Sequence, residues 1–149
     1  MSRLGFLTAL RVFLTLSLFL LPAISSRAEN QPTVARLKNA APTQVLFVGN
    51  SYFYYDDSLH NHVKRLVQAH DSALAEKLAY KSATIGGASL SHHDVEGHLE
   101  SGRLGLDAPF DLVILQGGSG EPLRESRRKT FSRVAAQHAE KIREAGAEV

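Results

Sequence analysis

The chain has 149 residues, 44% of them hydrophobic and 21% charged, enough for one folded domain. It has no cysteine, which excludes disulfides, thiolate metal sites and a cysteine nucleophile. The formal charge of +2 comes from the amino terminus: Arg3, Arg11 and Arg27 lie in the first 28 residues, which hold no acid. The remainder carries 14 basic against 15 acidic residues, so no basic excess points to nucleic acid as a partner.

Residues 1–28 read as a secretory signal peptide. Arg3 and Arg11 form a positive start, Val12 to Leu21 is a ten-residue apolar core, and Pro22 breaks it. Ser26-Arg27-Ala28 offers small residues for cleavage after Ala28. The apolar run is shorter than the roughly 20 residues of a membrane-spanning helix, and no stable membrane insertion is expected after cleavage. The product is expected to be exported, periplasmic or secreted. Residues 29–43, with Pro32 and Pro42, read as a linker, and 44–149 as the domain.

The domain opens on Gln44 to Val48, a short buried strand, followed by Gly49-Asn50-Ser51. The glycine is expected to permit a tight turn that places Ser51 at the carboxyl end of the strand. Ligands bind at that end in open α/β sheets, and a serine there is a candidate nucleophile. The same tripeptide is also an ordinary turn. Tyr52-Phe53-Tyr54-Tyr55 follows. These aromatics either pack the first helix onto the sheet, the favoured reading, or offer a stacking surface, led by Tyr52, for a sugar ring.

From Ser58 to Leu78, apolar residues at Leu59, Val63, Leu66, Val67, Leu74 and Leu78 predict an amphipathic helix in two parts around His70-Asp71, capped by Asp56, Asp57 or Ser58. Leu78 to Ile85 predicts a second strand ended by Gly86-Gly87, and Leu90 to Leu104 a helical or irregular segment. Asp111 to Gln116 predicts a buried strand ending in Gly117-Gly118-Ser119-Gly120. Glu125 to Ala145 predicts an amphipathic helix with Phe131, Val134, Ala135, His138, Ile142 and Ala145 on one face. Arg124, Arg127, Arg128 and Lys129, interleaved with Glu121 and Glu125, read as its solvated start. Gly146 closes it, and Ala147 to Val149 begin another strand.

Alternating strands and helices predict a parallel sheet with covering helices. The three strand ends then share one edge and bring together Ser51, Gly86-Gly87-Ala88-Ser89 and Gln116-Gly117-Gly118-Ser119. A hydroxyl, unobstructed glycine N–H groups and a side-chain amide are what acyl transfer at a serine needs for attack and for the developing oxyanion.

These three blocks together resemble the SGNH (GDSL-like) hydrolase superfamily, in a bacterial branch whose first block reads Gly-Asn-Ser. The resemblance spans residues 44–149, about the first two-thirds of such a domain. It implies a flavodoxin-like three-layer α/β/α fold and an esterase acting on a carboxylic ester, with O-acetylated carbohydrate as a candidate substrate. It implies Ser51 as nucleophile and oxyanion donor, Gly87 as second donor, and Gln116 where most members carry asparagine. The family's Asp-x-x-His block does not occur here; Asp94 and His98 are one residue too far apart. The chain is therefore expected to be a truncated, inactive piece of an esterase. The alternative is a non-catalytic domain on the same fold that binds carbohydrate or an envelope partner. A nucleotide-binding module is disfavoured, since neither Gly-x-Gly-x-x-Gly nor a Walker loop is present.

Of the seven histidines, His92 or His93 is a candidate lining residue of the acyl cleft, the alternative being an exposed loop histidine. His60 and His62, two apart on a helix, stand about 200° from one another and do not face one metal. No metal site and no cofactor are implied. His138 is expected to be packed.

Overall fold

A three-stranded parallel sheet in the order β2-β1-β3 carries the domain, formed by β1 (Gln44–Gly49), β2 (Ala79–Thr84) and β3 (Leu112–Leu115). The helices are α1 (Ser51–Tyr54), α2 (Leu59–His70), α3 (Ser72–Ala75), α4 (Val95–Leu99) and α5 (Glu125–Glu144), with a 3-10 turn at Leu90–His92. This computed structural model describes residues 36–149. The expected signal peptide and the first half of the expected linker lie outside the described residues.

β1 is central because it is apolar on both faces. Val45, Leu46, Phe47 and Val48 are all buried, and side chains alternate across a strand. Leu46 and Val48 join Val95, Phe110, Val113 and Ile142 in one core, under α4 and α5. Val45 and Phe47 face the other way and pack with Phe53 of α1 and with Tyr80, Leu112 and Ile114. Each such buried side chain contributes about 1.5–3 kcal/mol. The result is an α/β fold with helices on both faces of a parallel sheet, compatible with a flavodoxin-like arrangement.

Register aligns the strand ends. Gly49 pairs with Thr84, and Val48 pairs with Leu115. Ile85 N–H donates to the Gly49 carbonyl at 3.1 Å and Gln116 N–H to the Val48 carbonyl at 2.9 Å. The three carboxyl ends therefore lie side by side. Beyond β3, Glu148 forms a parallel bridge to Leu112. α5 ends on Gly146, whose φ of +89° lets Ala147 N–H reach the Ile142 carbonyl and Gly146 N–H the Arg143 carbonyl. Residues 36–43 have no regular structure but are tied to the domain. The Glu148 carboxylate accepts from Lys38 and Asn39 N–H at 2.9 and 2.7 Å. The Asp111 carboxylate accepts from Thr43 and Gln44 N–H at 2.8 and 3.0 Å.

Two expectations change. The 58–78 stretch does divide at His70-Asp71, but α2 is shallow: no residue in it is fully buried, and Leu66 is 72% exposed. His60, Val63 and Val67 form its half-buried inner stripe, with His60 against the Phe47 ring. Its start also lacks a side-chain cap. Ser58 takes the cap position with Asp56 and Asp57 before it, all three at positive φ. The Asp57 carboxylate turns to Arg65 and to Asn61 instead.

Candidate active site

Gly49 is required for space, not for a left-handed turn. It lies within β1, and a Cβ there would sit 2.5 Å from Gln116 Oε1 and 2.9 Å from the Phe53 ring. This corrects the expected reason for the glycine: its missing side chain admits Gln116 and Phe53 to the strand end. Gly87 is the reverse case. Its surroundings are open, but its φ is +69°, a conformation that favours glycine.

Asn50 joins the three strand ends. It is 3% exposed, and its amide is fully used. Nδ2 donates to the Ala88 carbonyl at 2.9 Å, in the loop after β2, and to the Gly117 carbonyl at 3.2 Å, in the loop after β3. Oδ1 accepts from Tyr52 N–H at 3.2 Å and so caps α1. An aspartate could accept the cap bond but could not donate to two carbonyls.

Ser51 is the first residue of α1, where the helix itself supplies no partner for its N–H. It shares a cavity of about 420 Å³ with Asn50, Tyr52, Tyr55, Gly87 and Ser89 on one side and 118–121 and Arg127 on the other. The Gly87 N–H has no hydrogen-bond partner among the described residues. Two uncommitted N–H donors and a hydroxyl thus border one cavity at the carboxyl edge of the sheet.

Gln116 stands beside this cavity without lining it. Its Oε1 accepts from Asn50 N–H at 2.9 Å and its Nε2 donates to the Gly117 carbonyl. Oxygen and nitrogen of the amide are each engaged at the strand ends, away from the cavity lining, so Gln116 here holds the Ser51 turn. That departs from the expected third oxyanion donor, because the register places its side chain over Gly49.

Neither His92 nor His93 lines the cavity. His92 Nδ1 accepts from Ser89 N–H at 3.2 Å. His93 is 6% exposed, and neither ring nitrogen has a hydrogen-bond partner among the described residues. Burial lowers its pKa. Nearby His98, His138 and His92 push the same way, and the Gly49 carbonyl opposes them without reaching hydrogen-bond geometry. His138 is half-buried, with Nε2 3.3 Å from the Leu90 carbonyl. His62 Nε2 lies 2.6 Å from the Asp56 carbonyl. Among the described residues no group of three or more His, Asp or Glu side chains is arranged to hold a metal ion.

The tyrosines differ from the favoured expectation. Only Phe53 packs inward, edge-on to Phe47 with centroids 5.8 Å apart. Tyr52 and Tyr55 are 63% and 68% exposed and both border the cavity. Helical geometry explains the split: in a single turn, one of four consecutive side chains faces the sheet.

Sequence reasoning missed Asn50 as a tie, Glu121 as a buried group and Arg127 as a lining residue. Glu121 is buried where its carboxylate accepts from Gly118 N–H. Its proximity in sequence to the Gly117-Gly118 loop was the available signal. No protein-family model matches the chain, and neither a curated protein nor a solved structure matches it. No helix among the described residues is long and apolar enough to cross a membrane.

Proposed function

We propose that residues 44–149 carry the serine and oxyanion portion of an exported esterase of SGNH type, acting on a carboxylic ester through an acyl-serine intermediate. The observation that supports it is the cavity shared by Ser51 and Gly87, with the N–H groups of both uncommitted. In this reading Ser51 Oγ attacks the ester carbonyl, the two N–H groups receive the oxyanion, and the alcohol leaves with a proton. Asn50 and Gln116 position Ser51 from behind. O-acetylated carbohydrate is the proposed substrate class.

Nucleophilic attack by serine needs a base. Among the described residues no imidazole borders the cavity, so slow turnover is expected of these residues alone. The test is incubation of the 149-residue chain with p-nitrophenyl acetate, with and without added imidazole as external base, followed by peptide mass spectrometry. An acetyl group on Ser51 that imidazole accelerates and Ser51→Ala abolishes supports the proposal. Equal p-nitrophenol release by wild type and Ser51→Ala, with no acetyl group at Ser51, refutes it.

The second reading is a non-catalytic carbohydrate- or envelope-partner-binding domain. The exposed Tyr52 and Tyr55 beside a cavity without imidazole favour it. Sugar binding that survives Ser51→Ala, with no acylation, is its signature.

A further inference from the structure

The cavity over Ser51 continues past Arg127. A second cavity of about 350 Å³ shares Ser89, Glu121 and Arg127 with it and adds the hydroxyls of Ser91, Ser126 and Thr130. The two form one hydroxyl-lined trough, with Arg127 at the join.

Arg127 differs from the cations beside it in sequence. Arg128 Nη1 donates to the Pro122 carbonyl at 2.8 Å, and Lys129 pairs with Glu125 at 2.7 Å. Arg127 makes no ion pair and no side-chain hydrogen bond among the described residues. Its guanidinium instead lies over the loop after β3, where a Cβ on Gly120 would come within 2.6 Å of Nη1. The glycine leaves the space the guanidinium occupies. Glu121, the acid that borders both cavities, is buried and directs its carboxylate to Gly118 N–H. The join of the trough thus presents an unpaired planar cation with five N–H donors, flanked by serine and threonine hydroxyls and by Tyr52 and Tyr55. A guanidinium in that setting matches a carboxylate held in two parallel hydrogen bonds. The hydroxyls and tyrosine faces match a sugar ring.

We propose that this trough takes an acidic sugar, its carboxylate on Arg127 and its ring between the tyrosines and the hydroxyl wall. The inference rests on the Ser51 reading only for the ester that such a sugar would carry; binding of the free sugar acid does not need it. The test is calorimetric titration of the full 149-residue chain with glucuronate and with glucose, at low salt and at high salt. Wild type is expected to prefer glucuronate by about tenfold, the ratio one charge-assisted pair supplies. Salt should weaken that preference. Arg127→Gln should remove it while circular dichroism stays unchanged, since the side chain is exposed, and Arg127→Lys should restore part of it. Equal affinity for the two sugars, a preference that survives Arg127→Gln, or no binding of glucuronate overturns the proposal. Acetylation at Ser51 reports separately on the esterase: glucuronate preference without Ser51 acetylation removes the ester and leaves the acidic-sugar site.

Discussion

Asn50 and Gln116 hold each other across the carboxyl edge of the sheet. Gln116 Oε1 takes the Asn50 N–H at 2.9 Å, and Asn50 Nδ2 reaches the Gly117 carbonyl at 3.2 Å. Two amides 66 residues apart in sequence thereby clamp the turn that presents Ser51 to the loop that closes its cavity. A third bond, from Asn50 Nδ2 to the Ala88 carbonyl at 2.9 Å, brings in the loop that carries Gly87. The clamp is built from neutral donors and acceptors whose partners are all satisfied, so it stays rigid without burying charge.

Asn50→Asp tests the clamp directly. The replacement keeps the shape and the α1 cap but sets a carboxylate against two carbonyls, one buried and one half-buried. A loss of about 2 kcal/mol or more is expected in urea unfolding, from two donors removed and a charge buried. Asn50→Asp with wild-type stability at pH 7 would show that the amide bonds are dispensable.

Gly49 and Gly87 should fail for different reasons. Gly49→Ala forces a methyl into Gln116 and the Phe53 ring, and overpacking of that kind costs about 1–3 kcal/mol. Gly87→Ala meets no atom but must hold a left-handed φ, at about 1–2 kcal/mol. The double variant Gly49→Ala, Gln116→Ala should recover part of the Gly49→Ala loss, because the nearest clash has gone. Gly87→Ala should not respond to Gln116→Ala. Urea midpoints for the four variants measure this.

His93 makes stability fall toward acid. Its pKa is lowered in the folded state by burial first and by the nearby histidines next. His98 and His60 are also lowered, chiefly by burial, against the opposing charges of Asp94 and Asp57. The unfolded chain takes up protons as pH falls through about 6.5, and the folded chain does so only at lower pH. Between those limits the unfolded state binds more protons, so stability is complete above about pH 7 and drains away as pH falls toward the folded values. His93→Phe, which removes two unpartnered buried nitrogens at similar volume, is expected within about 1 kcal/mol of wild type at pH 7.5. Its urea midpoint should decline less between pH 7 and pH 5. Parallel declines for the two proteins would assign the acid sensitivity elsewhere.

Asp111 anchors the first residues of β1. Burial pushes its carboxyl up, but bonds from Gln44 N–H, Thr43 N–H and Thr43 Oγ1 outweigh it, and its pKa is lowered. The stability this supplies is present above the ordinary carboxylate range and is lost as pH falls through the folded value. Asp111→Ala should speed amide hydrogen exchange at Thr43 and Gln44 by about tenfold, as loss of one charge-assisted bond predicts. Exchange at Val48, in the middle of the sheet, should change much less. Uniform acceleration along β1 would mean that the sheet, and not its end, depends on Asp111.

Strand and helix positions were legible because they depend on local pattern. Gln44 to Val48 and Asp111 to Gln116 are short, mainly apolar runs each ended by a glycine, and both became strands of a sheet covered on each face. The stripe through Val134, His138 and Ile142 gave α5, and Gly146 its end. The alignment of three usable strand ends on one edge also followed from pattern, since parallel strands joined by helices all point one way. The site's interior was not legible in that way. Leu66 scored as apolar yet faces out, because α2 touches the sheet along only one narrow stripe. His93 read as either a cleft-lining or an exposed loop histidine, yet it is buried and does not line the cavity.

By itself, the sequence determined the strands, the helices and the meeting of Ser51, Gly87 and Gln116 at one edge, because those depend on periodicities of two and 3.6 residues. Tertiary structure decided what each group does there. It set Gln116 Oε1 against the Asn50 N–H, made Asn50 the tie between loops 38 and 67 residues away, and left Tyr52, Tyr55 and Arg127 lining the cavity. Hydrogen bonds act over about 3 Å, and which amide lies within that reach is set by packing of segments far apart in the chain.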